Sequence, residues 1–281
     1  MDLLISSEWL AGELTAPDLR ILDATAFLPG TPRDAQAEYL DAHIPGALFL
    51  NLAALHDVDD PRPSMVPTDA QFAVYLGALG VSETDRIVIY DNSPLISSGR
   101  AWWLMRLFGA KQVAILDGGL AHWRAQGLPV ESGEGHPKAP APFHAARAAE
   151  QVRSKDDMLG NLASCAAQVV DARGKGRFTG EDPEPRAGMS SGHIPGSVNL
   201  PTGQMLDEQG LWKRGDAMRA TFETAGVDLD RPLIMTCGSG VTACNLLFGA
   251  ALIGKQNVTI YDGSWSEWGA DASTPKATGR A

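Results

Sequence analysis

The sequence predicts an α/β protein made of two duplicated domains, each an open parallel β-sheet with helices on both faces. Short apolar runs alternate along the chain with longer segments of helical character, and this alternation is typical of parallel strands joined by crossover helices. Four sequence segments of the first half also recur in the same order in the second half. A repeat with such a long period indicates two domains rather than a solenoid.

Four matched pairs of short segments carry the repeat. Three pairs contain an apolar run that predicts a buried strand, and the fourth contains the tetrapeptide His-Ile-Pro-Gly. We expect a first domain at residues 1–130, a linker rich in Gly, Pro and Ala at 131–147, and a second domain at 148–281. The matched pairs are residues 20–24 with 168–172, 42–47 with 192–197, 86–91 with 232–237, and 113–119 with 258–264.

Between the apolar runs, the clearest helices are predicted at residues 69–79, 101–108 and 216–225. Asp23 and Asp171 end equivalent predicted strands, and we expect them to fix the loops that follow. Ligands of open α/β sheets bind beyond the carboxyl ends of the strands, so a functional site is expected at that edge.

Composition limits the classes of partner. The chain has 281 residues, of which 44% are hydrophobic and 20% charged, and its net charge is −11. This is the composition of a globular protein. The acidic balance argues against nucleic acid and anionic membranes as partners. Any anion must therefore be bound by a local group of cations.

The loop at residues 237–243 has the sequence Cys-Gly-Ser-Gly-Val-Thr-Ala and connects a predicted strand at 233–236 to a predicted helix at 244–252. Its two glycines permit a tight turn in which successive backbone N–H groups converge. Unpaired N–H groups and the positive end of the helix dipole favour a thiolate there. We therefore interpret Cys237 as a nucleophile in an anion-binding loop.

The other two cysteines serve as a comparison. A lone cysteine is usually a small buried hydrophobic residue. Cys165 has no glycine nearby and Cys244 lies inside the predicted helix, so both are predicted to be packing residues. Three widely spaced cysteines form neither a disulfide framework nor a metal-ligand pattern, which is typical of a reducing compartment. We expect no metal and no cofactor.

The first half differs from the second at the nucleophile. It carries Asp91 at the position of Cys237. An aspartate is not a sulfur nucleophile and repels an anion. We therefore expect the first domain to be non-catalytic, with a structural and substrate-shaping role.

These segments together resemble the two-domain rhodanese sulfurtransferases. The resemblance extends from about Trp9 to Trp268 and rests on the tandem halves, the paired His-Ile-Pro-Gly segments and the Cys237 loop. The loop is similar to that of the 3-mercaptopyruvate branch, whereas the thiosulfate branch typically has basic residues after the cysteine. The resemblance implies transfer of sulfur from 3-mercaptopyruvate, through a Cys237 persulfide, to a thiol, cyanide or reduced thioredoxin, with release of pyruvate.

The resemblance also implies the substrate-binding residues. The two substrate-binding arginines of the branch fall on Arg177 and Arg186, and guanidinium groups bind carboxylates in bidentate fashion. The alternative from sequence alone is that each arginine forms a surface ion pair, with Glu181, Asp182 or Glu184.

Backbone N–H groups of the loop can hold a persulfide anion without a metal. Thr242 either completes the loop or caps the following helix through its hydroxyl. The loop residues assigned to binding are Gly238, Gly240, Val241 and Thr242.

Ser239 and His43 are the candidates for proton transfer. The Ser239 hydroxyl can polarise the keto oxygen or protonate the enolate, or it can be a turn hydroxyl bonded to its own backbone. In the mercaptopyruvate branch a Ser, a His and an Asp are proposed to act together; the His falls on His43, and Asp34 is one candidate for the Asp. His193 occupies the same motif in the second half, so His43 can instead brace the loop before a strand.

Other functions fit less well. A cysteine phosphatase or arsenate reductase needs an Arg six positions after the Cys, where this chain has Ala243. A thiosulfate:cyanide sulfurtransferase is the nearer alternative, but its doubly charged donor calls for cationic loop residues where this chain has Gly238 and Ser239. The intact Cys237 loop argues against a non-enzymatic sulfur-relay or docking module.

Two features of the sequence predict the cellular location. Residues 1–8 have no basic segment before their short apolar run, and no stretch reaches about 18 uninterrupted apolar residues. We expect a cytoplasmic monomer that acts on a small-molecule sulfur donor and acceptor, with thioredoxin as a further acceptor.

Overall fold

The computed structural model describes residues 1–279 and separates into two compact units. The predicted linker at residues 131–147 packs as part of the first unit, where the Ala141 N–H donates to the Gly77 carbonyl at 3.1 Å. The first unit contains Met1–Val58, Val66–Ala148 and Gln209–Leu211, and the second contains Asp59–Met65, Ala149–Glu208 and the chain from Trp212.

The first unit is built on a five-stranded parallel sheet. Its strands lie in the order β1-β5-β4-β2-β3. The strands are β1 (Leu4–Ile5), β2 (Leu19–Asp23), β3 (Ala47–Phe49), β4 (Arg86–Tyr90) and β5 (Val113–Leu116), and the helices are α1 (Ser7–Glu13), α2 (Ala35–Asp41), α3 (Asp69–Ala78), α4 (Ser98–Leu107) and α5 (Gly119–Ala125).

The second unit repeats this topology. Its parallel strands lie in the order β6-β10-β9-β7-β8, which is the first order with each strand replaced by its counterpart. The predicted duplication of an α/β fold is therefore confirmed. The strands are β6 (Val152–Arg153), β7 (Gln168–Asp171), β8 (Val198–Asn199), β9 (Leu233–Thr236) and β10 (Val258–Tyr261), and the α-helices are α6 (Lys155–Ser164), α7 (Lys175–Thr179), α8 (Gly215–Thr224), α9 (Ala243–Leu252) and α10 (Ser264–Trp268), with 3₁₀ turns at Ala149–Gln151 and Thr202–Met205.

Helices cover both faces of the sheets, as strand β4 illustrates. Val88 and Tyr90 pack in one core cluster with Leu10 of α1. Successive side chains of a strand point to opposite faces, and Ile87 and Ile89, which point the other way, are also fully buried. Burial on both faces explains why these strands are continuous apolar runs in the sequence.

Strand β9 positions the site. It lies between β7 and β10, with Met235 in register with Val170 on one side and Ile260 on the other. All its residues are buried, and its bounds are those predicted from sequence. The chain leaves the carboxyl end of β9 at Cys237 and enters α9 at Ala243. No helix within residues 1–279 is long and apolar enough to cross a membrane.

Candidate active site

Cys237 lies at the carboxyl end of β9 and is held through its backbone. Its carbonyl accepts a hydrogen bond from the Trp265 N–H at 3.0 Å. Its own N–H donates to the Ser264 hydroxyl at 3.2 Å. The residue is 2% exposed. Both backbone groups of Cys237 are therefore fixed by the first turn of α10.

The loop after Cys237 presents unpaired backbone donors. Gly240 adopts the left-handed conformation, with φ at 75°, which a residue without a Cβ adopts at little cost. The N–H groups of four loop residues donate to no acceptor within residues 1–279, namely those of Gly238, Ser239, Val241 and Thr242. Together with the start of α9 they form the donor set that the sequence predicted for an anion.

The expected cap of α9 is absent. Thr242 occupies the N-cap position, but its side chain makes no capping hydrogen bond, so the predicted capping role is wrong. The reason is conformational. A side-chain cap requires an extended backbone at the N-cap, whereas Thr242 is already helical, with φ at −75° and ψ at −17°.

The two remaining cysteines differ from each other. Cys244 is fully buried, and its Sγ donates to the Gly240 carbonyl at 3.2 Å, which confirms a packing role beneath the loop. Cys165 is exposed and ends α6 in the left-handed conformation. The prediction that Cys165 is a packing residue is wrong, because the helix ends at this position and turns its side chain towards solvent.

Arg177 lies against the nucleophile loop. A Cβ placed on Gly238 would be 3.1 Å from Nη2 of Arg177. Glycine at this position therefore leaves room for the guanidinium group beside the loop. The side chain of Arg177 comes from the short helix α7 and remains partly exposed, so it is accessible to a ligand.

Arg186 is connected to the same loop through Ser266. Its Nη1 donates to the Ser266 hydroxyl at 3.3 Å, and that hydroxyl donates to the Gly238 carbonyl at 2.6 Å. Burial lowers the pKa of Arg186, and the positive charge of Arg177 lowers that pKa further. Two neighbouring cations that destabilise each other favour an anion between them.

Glu184 is a site residue that the sequence did not assign. Its carboxylate is 1% exposed and bridges two arginines, at 2.7 Å from Arg173 and 2.6 Å from Arg177. The proposed ion-pair alternative for Arg177 is thus met in part, but the glutamate is buried and not on the surface. Because one carboxylate serves two guanidinium groups, Arg177 keeps unpaired donors beside Gly238.

Asp171 and Asp23 fix loops, as predicted. Asp171 accepts from the Arg173 N–H at 2.9 Å and also binds the guanidinium of Arg173. Asp23 accepts from the Thr25 N–H at 2.9 Å. Equivalent aspartates at the ends of β2 and β7 therefore hold the turns that follow these strands.

Ser239 is a nearly buried residue of the Cys237 loop. The side chain is 8% exposed and makes no hydrogen bond to any of residues 1–279. The alternative interpretation, a turn hydroxyl bonded to its own backbone, is therefore not met. This leaves the hydroxyl available to a ligand.

His43 and His193 make matching contacts within their own units. The Nδ1 of His43 lies 2.8 Å from the Tyr39 carbonyl and its Nε2 lies 3.2 Å from Glu131, with the ring stacked on Tyr39. His193 likewise lies 2.8 Å from the Phe178 carbonyl and stacks on Phe178. The repeated arrangement favours the bracing role, and proton transfer by His43 stays a prediction. Asp34 caps α2 through the N–H groups of residues 36 and 37.

In the first unit, an acidic residue lies at the position of the nucleophile. Asp91 stands in place of Cys237 and accepts from the N–H groups of Ser93 and Ser98, at 2.9 and 2.8 Å. Burial raises the pKa of Asp91. The loop of the first unit is therefore closed by its own carboxylate.

The matching histidine contacts also identify the counterpart of Arg177. Tyr39 supports His43 as Phe178 supports His193, and the residues that precede these two aromatics are Glu38 and Arg177. The duplication therefore places a negative charge in the first unit where the second unit has a positive one. The first-unit counterpart of Arg177 therefore supplies no cation to an anion.

Comparison with known proteins identifies relatives over nearly the whole chain. The family model described as rhodanese-like domain matches twice, at residues 6–126 and 154–271. The chain is 46% identical to 3-mercaptopyruvate sulfurtransferase of Homo sapiens over 94% of this chain and 91% of the relative. It is 44% identical to thiosulfate sulfurtransferase of Bos taurus with the same coverage. The crystal structure of SseA from Escherichia coli, described as a 3-mercaptopyruvate sulfotransferase, has a TM-score of 0.86 and 40% identity over 95% of this chain and 100% of that one.

Proposed function

Since this chain belongs to the rhodanese family, we propose that it transfers sulfur from 3-mercaptopyruvate, through a persulfide on Cys237, to a thiol, cyanide or thioredoxin. One observation carries the choice of donor. Arg177 and Arg186 both approach the loop at Gly238, one through space and one through Ser266. Such a pair of guanidinium groups fits the adjacent carboxylate and keto oxygens of a 2-keto acid.

The first half-reaction forms one S–S bond and breaks one C–S bond. The Cys237 thiolate attacks the sulfur of 3-mercaptopyruvate, and the electron pair of the C–S bond passes to the carbon, which leaves as the enolate of pyruvate. The enolate then takes a proton and becomes pyruvate. Ser239, with its unpaired hydroxyl, is the proposed group for polarising the keto oxygen or delivering that proton.

The loop stabilises negative charge on sulfur. The Cys237 thiolate carries this charge at the start, and the persulfide carries it once the thiol proton of the donor has passed to the enolate. The persulfide is an anion, and the unpaired N–H groups after Cys237 are already oriented by the turn and the start of α9. Preorganised donors need no rearrangement when the charge arrives. Gly238, Gly240, Val241 and Thr242 thus act through the backbone.

The second half-reaction restores the free enzyme. With cyanide as acceptor, carbon attacks the outer sulfur of the persulfide, the S–S bond breaks and thiocyanate leaves with the Cys237 thiolate regenerated. A thiol acceptor takes the same sulfur to give a persulfide of its own. This ping-pong sequence needs no cofactor.

Thiosulfate is the second candidate donor, because the bovine thiosulfate sulfurtransferase is nearly as similar in sequence as the human mercaptopyruvate enzyme. The geometry around Gly238 argues against thiosulfate as the donor. A basic side chain at position 238 would begin 3.1 Å from Nη2 of Arg177, so two cations would compete for one place. The neutral Gly238 suits a donor whose carboxylate binds Arg177 directly.

We further propose a cytoplasmic monomer with thioredoxin among its acceptors. Cys237, Ser239, Arg177 and Arg186 all belong to the second unit of one chain, so the proposed site requires no second copy. None of the three cysteines is in a disulfide with another described residue, which suits a reducing compartment and a thiol acceptor. An Arabidopsis thaliana relative is named as mitochondrial, so the location is to be tested by fractionation of cells.

The test compares two donors with cyanide as the common acceptor. Pyruvate release from 3-mercaptopyruvate and sulfite release from thiosulfate are measured side by side, and intact mass reports one added sulfur atom. We expect a higher kcat/KM with 3-mercaptopyruvate. A preference for thiosulfate would overturn the choice of donor, and no sulfur uptake from either would favour a docking module.

The covalent step is tested by Cys237→Ala, with Cys165→Ala as the matched control. Cys165 is exposed and lies outside the proposed site. The first variant is expected to take up no sulfur and the second to retain full uptake. Turnover by the Cys237 variant would remove this residue as the nucleophile.

A further inference from the structure

Ser264 has an unusual backbone conformation directly beneath the nucleophile. It is fully buried and has φ at 50°, in the left-handed region that disfavours residues with a Cβ other than Asn and Asp. Its place in the duplication is taken by Gly119 in the first unit, with φ at 56°. Glycine is the residue expected at such a position. The second unit therefore has a serine where the backbone favours glycine.

The two units correspond closely around this residue. The Leu120 N–H donates to the Asp91 carbonyl at 3.2 Å, as the Trp265 N–H donates to the Cys237 carbonyl at 3.0 Å. A Cβ on Gly119 would overlap the Asp91 carbonyl oxygen, so only glycine fits in the first unit. A side chain is accommodated at this position in the unit that carries the sulfur nucleophile.

The Ser264 hydroxyl forms hydrogen bonds with three groups. It donates to the Tyr261 carbonyl at 2.8 Å. It accepts from the Cys237 N–H at 3.2 Å and from the Thr236 hydroxyl at 3.3 Å. Because the single hydroxyl proton goes to Tyr261, the oxygen lone pairs are directed to the other two donors.

From this geometry we infer that Ser264 is a positioning residue for sulfur transfer, an inference that rests on the proposed role of Cys237 as nucleophile. With its N–H held by Ser264 and its carbonyl held by Trp265, the backbone of Cys237 cannot rotate freely. This fixes the direction of the Cα–Cβ bond that carries the sulfur. Misplacement of a reacting atom by about 1 Å lowers a rate on the order of 100-fold, so loss of this hydrogen bond affects the chemical step.

Two substitutions separate the effect of losing the Ser264 hydroxyl from the effect of relieving the backbone strain. Ser264→Ala removes the hydroxyl and keeps a Cβ at positive φ. Ser264→Gly removes both the hydroxyl and the strain, and reproduces Gly119. The glycine variant is therefore expected to unfold at a higher temperature than the alanine variant.

The single-turnover rate of persulfide formation is measured by intact mass at a saturating donor concentration. The KM for the donor is measured in parallel. We expect both variants to lose rate by a similar factor, on the order of 10-fold, with a change in KM below about threefold. A merely structural role predicts instead that activity follows stability. Recovery of the wild-type rate in the glycine variant, or an unchanged rate in both, would overturn the inference.

The experiment also distinguishes this inference from the proposed function. Positioning of Cys237 acts on either donor, so the same variants are measured with thiosulfate if the wild-type protein prefers it. As a readout without a sulfur donor, alkylation of Cys237 by iodoacetate is followed in a Cys165→Ser background. We expect a similarly slower alkylation in both variants, and wild-type alkylation rates in both would contradict the role of Ser264.

Discussion

Arg177 and Arg186 are both cations beside the nucleophile loop, but their surroundings differ. Arg177 is held by the buried carboxylate of Glu184. Among the described residues, Arg186 donates a side-chain hydrogen bond to the neutral hydroxyl of Ser266. The charge of Arg186 is therefore less compensated, and its lowered pKa reflects burial and repulsion by Arg177. A substrate carboxylate supplies the missing negative charge.

Arg186→Ala is accordingly predicted to weaken binding of 3-mercaptopyruvate. A hydrogen bond to a charged group is worth about 1.5–3 kcal/mol, which corresponds to an increase in KM on the order of 10- to 150-fold. Steady-state kinetics of pyruvate release measure it. Arg231→Ala is the control, because Arg231 binds the Cys165 carbonyl at the surface, and an Arg186 variant with the KM of this control would contradict the prediction.

The two roles left open for His43 predict different kinetics. A bracing residue that lies 2.8 Å from the Tyr39 carbonyl and 3.2 Å from Glu131 contributes to stability and not to the chemical step. His43→Gln is expected to lower the unfolding midpoint while the single-turnover rate changes less than about threefold, as in the matched variant His193→Gln. A rate loss found for His43→Gln and absent from His193→Gln would assign proton transfer to His43.

Single residues were predictable from sequence where chemistry restricts the residue type. Cys237 was recognised from its glycines and its place between a strand and a helix. Glu184 was considered only as one of three surface partners for an arginine, and Ser264 was not considered, because the contacts with Arg173 and Cys237 form only in the folded chain. The capping prediction for Thr242 failed because its backbone dihedrals are not encoded in its residue type.

At the scale of elements, the duplication made the sheets predictable. Both central strands, β4 and β9, are continuous apolar runs because helices bury them on both faces. The edge strands β1 and β6 have only two residues each. So short a segment has no periodicity, and it becomes a strand only through pairing with β5 or β10. Sequence reasoning therefore recovered the three inner strands of each sheet and assigned neither edge strand.

The loop after β4 gives a pH-dependent prediction. Burial raises the pKa of Asp91 above its ordinary value of 3.8. At pH values between 3.8 and the raised pKa, Asp91 keeps its proton in the folded protein and has released it in the unfolded chain. This group therefore makes the free energy of unfolding fall as the pH rises. Asp91→Asn removes that contribution.

Urea unfolding of both proteins from about pH 4 to about pH 7 tests this prediction. The charge of Asp91 also raises the pKa of Asp23, so the difference between wild type and Asp91→Asn reports Asp91 together with its effect on Asp23. The wild-type curve is expected to fall more steeply with pH than that of the variant. Two parallel curves would contradict the assignment of the slope to this carboxyl group.

At the scale of the whole molecule, the two compact units are not two consecutive stretches of chain. Asp59–Met65 belongs to the second unit, and Gln209–Leu211 belongs to the first. The sequence predicted consecutive domains, since a repeat locates matched segments and carries no information on the long insertions between them. The second unit is therefore completed by a segment from the first half of the sequence.

Arg62 makes this completion testable. It pairs with Asp60 and with Glu267 of α10, and the Tyr261 hydroxyl donates to the same glutamate at 2.9 Å. Arg62→Ala leaves Glu267 with one neutral donor. Because the arginine is about one third exposed, the expected loss in the free energy of unfolding is about 1 kcal/mol. Faster amide hydrogen exchange in α10 is the predicted result. Arg33→Ala, which removes an ion pair with Glu38 in the first unit, should leave α10 unchanged, and equal exchange in the two variants would show that Asp59–Met65 does not stabilise the second unit.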